Sequence, residues 1–126
     1  MWPINLPWFV SLHAGGLALL GLRMLFRTGP VSPKLDSSAM LGITAVALGM
    51  SYLSTSYMPV EQNQFLHASV PIRILLGVLA GIRAAIGGGL TAQGKRDLLV
   101  VLFYDALGGL AVGWWLGKYD GRIAGY

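Results

Sequence analysis

The sequence predicts an all-α membrane fold, a polytopic four-helix bundle running up-down-up-down with both termini on the non-cytosolic side. Three observations predict it. Of 126 residues, 55% are hydrophobic and only 11% charged, where a soluble domain carries about 25% charged residues. The apolar residues gather into four runs, each near the ~20 residues that a helix needs to cross a bilayer. Basic residues sort by side: Arg23, Arg27, Lys34, Arg83, Lys95 and Arg96 lie at loops one and three, against Arg73, Lys118 and Arg122 with Glu61 and Asp120 at the other ends. Positive charge marks the cytosolic side, so both of those loops are expected in the cytosol.

The chain is read as one transmembrane domain, residues 1–126. The first span, about 8–26, is interrupted by His13 and closed by Arg23 and Arg27, with Trp2 and Trp8 at its outer end. It has no basic leader, and reads as a retained helix instead of a signal peptide. The second, about 38–58, carries no charge and follows a breaker-rich loop from Thr28 to Asp36; Asp36, Ser37 or Ser38 is expected to cap it. A third span, about 70–90, ends at Gly87, Gly88 and Gly89. Pro71 allows two starts: a Ser69 cap with the proline in the first turn, which is preferred, or a longer helix from Pro59 kinked at Pro71. The fourth, about 98–117, closes on Trp114, Trp115 and Tyr119.

Lipid offers helices no hydrophobic reason to associate, so small side chains that permit close approach must hold them together. Gly77, Gly81 and Ala85 form such a row on the third span, and Gly109, Gly113 and Gly117 on the fourth. A weaker row is Gly42, Ala45 and Gly49. A tight third-to-fourth hairpin follows, with Asp105 continuing the fourth-span row into its seam. Asp105 is the one acid within the four runs, and an ionised carboxylate in hydrocarbon costs about 2.5–3.5 kcal/mol, so it should face a partner. Matching span midpoints, with the third span starting near Val70, makes Arg83 the expected partner in an intramembrane ion pair. Arg73 shares the row but leans outward.

A second polar group lies toward the outer ends. His13, Glu61 and His67 are candidate acid–base residues, because a histidine and a carboxylate near one another can move protons on a substrate entering from the membrane. Tyr52, Arg73 and Trp114 are candidate substrate-binding residues. No HExxH, P-loop, GxSxG or calcium-loop pattern occurs, so no metal and no cofactor are assigned. The absence of cysteine excludes disulfides, thiolate ligation and a cysteine nucleophile. The net charge of +4 is scattered between apolar runs, which argues against a nucleic-acid partner. The lipid bilayer is the expected one.

Several stretches carry a resemblance. Gly21-Leu-Arg-Met-Leu-Phe-Arg-Thr-Gly-Pro30, Ser69-Val-Pro-Ile-Arg73 and Tyr104-Asp-Ala-Leu-Gly-Gly-Leu-Ala-Val-Gly-Trp-Trp-Leu-Gly117 together resemble small four-helix membrane proteins of filamentous fungi, broadly similar to DoxX-like proteins. Met58-Pro-Val-Glu-Gln-Asn-Gln-Phe-Leu-His67 is similar to a Met-Pro-x-Asn-Asn segment of anthrone-oxygenase-type membrane proteins, with Glu61 and Gln62 departing from that pattern. The resemblance implies lipophilic-metabolite chemistry and carries over no catalytic residue.

The expected function is therefore that of a multi-pass integral membrane protein, in the endoplasmic reticulum membrane if the source is eukaryotic. One reading is a membrane-embedded isomerase, cyclase or oxygenase acting on a lipophilic metabolite in a biosynthetic pathway. The alternative is a non-catalytic scaffold or accessory subunit working as a homodimer or beside a membrane-complex partner. A small dimeric transporter is the third.

Overall fold

The computed structural model describes residues 4–86 and 88–126; Trp2 and Gly87, named above, lie outside them. Among these residues the fold is all helical: α1 (Trp8–Leu25), α2 (Pro33–Ser54), a short 3-10 turn (Val60–Gln62), α3 (Gln64–Ile86) and α4 (Ala92–Leu116). All four α-helices are long and apolar enough to cross a membrane, and the protein is a multi-pass integral membrane protein. The chain forms two compact units, Met1–Phe65 and Leu66–Tyr126.

In the first unit, α2 begins five residues earlier than the sequence suggests. Ser32 caps it, its hydroxyl accepting from the Leu35 N–H at 3.3 Å, and Pro33 follows in the first turn. Proline suits that position because the N–H it lacks has no helical partner there. Asp36 instead sits in the first turn, where a carboxylate meets the positive end of the helix dipole. The helix also stops earlier, at Ser54, where hydroxyls compete for the backbone: Ser54 and Thr55 both donate to the Ser51 carbonyl and Ser56 to that of Leu53. Such local bonds offer the chain an alternative to helix.

Backbone contact joins α1 to α2. A Cβ on Gly21 would lie 2.6 Å from the Gly42 carbonyl oxygen, one on Gly42 2.5 Å from the Leu25 nitrogen, and one on Gly49 2.6 Å from the Ala14 oxygen. Ser38 adds a hydroxyl bond to the Met24 carbonyl at 3.4 Å. At the opposite end, the Asn5 side chain donates to the Tyr57 carbonyl at 2.8 Å and that of Asn63 to the Thr55 carbonyl at 3.0 Å. These bonds tie the segments flanking the helices to the end of α2.

The second unit corrects the preferred start of the third span. Helix α3 begins at Gln64, with Pro71 inside it, and Ser69 is no cap: its hydroxyl donates to the Leu66 carbonyl at 2.6 Å. The fourth helix likewise starts early, at Ala92, because Thr91 accepts from the Gly94 N–H at 3.0 Å. Gly117 ends it in the left-handed region (φ 80°), and the Gly117 and Lys118 N–H groups turn back to the Trp114 and Gly113 carbonyls. This pattern closes a helix through glycine because other residues resist that conformation. Replacing Thr91 with alanine is expected to lower stability by about 1 kcal/mol, read from unfolding in mixed micelles, while Thr91→Asn leaves it close to wild type.

Candidate functional site

The polar residues that could carry function fall into one set in each unit. The second unit holds the charged set. Asp105 lies on α4, and the Arg73 Nε of α3 approaches its Oδ1 at 3.3 Å. The same guanidinium donates through Nη2 to the Tyr104 carbonyl at 3.4 Å, and its carbon lies 5.6 Å from the centre of the Tyr104 ring. Arg73 is 8% exposed. The guanidinium has room because position 108 is glycine: a Cβ there would collide with the Arg73 head group.

Arg83, the expected partner, is elsewhere. It is exposed, and its Nη2 donates to the Gly88 carbonyl at 2.9 Å. The cause is helix length. With α3 spanning Gln64–Ile86 and α4 Ala92–Leu116, the centres fall at Leu75 and Tyr104. Arg73 and Asp105 both sit next to those centres, whereas Arg83 lies about 12 Å along the helix from its own. With these bounds, matched midpoints set Asp105 nearly opposite Arg73; a start near Val70 would move the match toward Arg83.

The seam around the pair follows the expected glycines in part. A Cβ on Gly77 would meet Ala106 at 2.9 Å, one on Gly81 the Leu102 side chain at 3.2 Å, and one on Gly109 Ile74 at 2.9 Å and the Val70 carbonyl at 3.0 Å. Gly113 has a different neighbour. The chain after α4 folds back so that the Tyr119 ring covers Gly113 and its hydroxyl donates to the Leu110 carbonyl at 3.2 Å. Gly121 then reaches Pro71 on α3 with φ 74°, where a Cβ would lie 2.8 Å from the proline ring. The tail thereby clasps α4 to α3 near the pair.

The first unit holds an aromatic set. His13 of α1 meets the Tyr52 ring of α2 edge to face, with centroids 5.5 Å apart, and Tyr52 meets Phe65 likewise at 4.9 Å. Tyr52, Ser56 and Asn63 are each almost wholly buried. Beside them a shallow, open apolar groove of about 450 Å³ is lined by Ile4, Met50, Leu53, Ser54 and Ser56. Of the other candidates, Glu61 is exposed on the 3-10 turn, His67 is buried on the first turns of α3, and Trp114 is exposed near the end of α4. The structure thus brings His13 to Tyr52 and Arg73 to Asp105. Among the described residues no three His, Asp or Glu side chains gather into a metal-binding group.

Chemically, the charged set is a closed arrangement. The carboxylate accepts a charge-assisted bond, stronger than one between neutral groups, and the guanidinium is shared between that carboxylate, a carbonyl and a ring face. Phe65 and Gly108 were missed in the sequence; a glycine adjoining the Gly109 row, one turn from Asp105, was the available signal for the second. Compared with models of known families, with curated proteins and with solved structures, the chain matches none.

Proposed function

We propose that this membrane protein is a non-catalytic scaffold or accessory subunit, whose hairpins present apolar faces to lipid and to a membrane-embedded partner. The engagement of Asp105 by Arg73 carries the reading, because a carboxylate held this way orders a hairpin instead of waiting for a substrate. The hydroxyls support it: Thr44, Ser51, Ser54, Thr55, Ser56 and Ser69 all donate to carbonyls of their own segment. The excess of basic residues at the α1–α2 and α3–α4 turns favours a topology with those turns in the cytosol and both termini outside or in the lumen.

A second reading, an enzyme acting on a lipophilic metabolite, is favoured by the contact of His13 with Tyr52 and by the resemblance to anthrone-oxygenase-type proteins. In a fungal cell it would serve secondary metabolism at the endoplasmic reticulum. His13 and Tyr52 are the residues it would use first, as a proton acceptor and donor beside an apolar ligand.

One experiment separates the two. The gene is deleted in its own host, the lipid-soluble metabolites are profiled, and the deletion is complemented with wild type or with His13→Gln/Tyr52→Phe. Full restoration of the profile by the double variant, at normal membrane abundance, supports the subunit; an accumulating precursor despite normal abundance overturns it in favour of the enzyme.

A further inference from the structure

The tip of the first hairpin carries Arg23 on the last turn of α1, Arg27 just beyond it and Lys34 at the start of α2. All three are exposed, and among the described residues none of their side chains makes a hydrogen bond or ion pair with the protein. Between Arg23 and Lys34 there is no acidic residue; the nearest, Asp36, is exposed in the first turn of α2, so the tip carries three cations to one carboxylate. Two large apolar side chains, Phe26 and Val31, stand exposed on the same tip, at 73% and 102%. Since α1 and α2 are membrane-crossing helices, the tip lies at the boundary between hydrocarbon and headgroups.

We propose that this tip is a binding surface for anionic phospholipid headgroups. Arginine suits the task because its planar fork can bind a phosphate through two N–H groups at once, and long basic side chains at a helix end extend naturally to headgroup depth. Phe26 and Val31 argue for lipid over an acidic protein segment, since they require hydrocarbon beside the phosphate layer. The tip of the second hairpin is less suited: Arg83 already donates to the Gly88 carbonyl, and Asp97, next to Lys95 and Arg96, places a carboxylate there that accepts from Gln93 at 2.7 Å.

The test uses the full chain reconstituted in vesicles of phosphatidylcholine doped with phosphatidylserine, released and weighed with its bound lipids by native mass spectrometry. Wild type is expected to retain phosphatidylserine about fivefold above its vesicle ratio for each effective cation. Arg23→Gln/Arg27→Gln/Lys34→Gln should return to the vesicle ratio, and Lys95→Gln/Arg96→Gln should keep most of the preference. Matching melting temperatures in pure phosphatidylcholine establish that the variants fold. Retention by wild type at the vesicle ratio, a preference that survives the triple change, or displacement of phosphatidylserine by soluble polyglutamate would each overturn the proposal.

Discussion

Arg73→Met is expected to destabilise the second hairpin by about 3–5 kcal/mol, because it leaves the Asp105 carboxylate without its cation in an apolar seam. The size comes from the asymmetry of desolvation: a paired charge is tolerable in a membrane, whereas an orphaned one is not. Removing both charges should therefore be far milder than removing one. Arg73→Met/Asp105→Leu is expected to fold at or above wild-type stability, since a well-packed apolar pair often replaces a buried ion pair without loss. Unfolding in mixed micelles of rising dodecyl sulfate content reads both. Gly108→Ala gives a related check on cause: its Cβ would occupy the place of the Arg73 guanidinium, so it should weaken the pair while leaving both partners in the chain.

Gly42→Leu is expected to have the second large effect, lowering the stability of the first hairpin by roughly 1–3 kcal/mol or more. The atoms it would strike are backbone, Leu25 nitrogen and Gly21 oxygen, which cannot turn aside as a flexible side chain can. Relief requires the two helices to separate, and that opens the contacts of Gly21 and Gly49 as well. Gly16 is the internal control, having nothing within 4 Å of its Cβ position. Gly16→Leu should lower stability by no more than about 0.5 kcal/mol, since taking a glycine out of a helix interior is not itself destabilising. Equal losses at the two positions would remove helix contact as the explanation.

The membrane fold was legible because composition and the length of apolar runs depend on the bilayer and not on which residues meet. Asp105, Gly77, Gly81 and Gly109 were legible for a similar reason: a carboxylate in hydrocarbon needs a partner, and close helices need missing side chains. The partner itself was not. Gln64 and His67 look like loop residues, and Pro71 looks like a helix start, so α3 was shortened and its centre moved toward Arg83. In the first hairpin the row Gly42, Ala45 and Gly49 is visible on α2, but its counterpart on α1, Ala14 with Gly21, was missed; these two are seven apart, as Gly42 and Gly49 are. A spacing of seven drifts only about 20° over two turns and marks one face as well as four does. The fold-back of Tyr119 over Gly113 depends on the left-handed turn at Gly117, a residue that was read only as part of a packing row.

The most direct test of the charged seam is a pair of double-mutant cycles in the second hairpin, one coupling Asp105→Asn with Arg73→Gln and the other coupling it with Arg83→Gln. The structure predicts a coupling of roughly 1–3 kcal/mol between Asp105 and Arg73, and additivity within about 0.5 kcal/mol between Asp105 and Arg83. Strong coupling to Arg83 with additivity at Arg73 would contradict it.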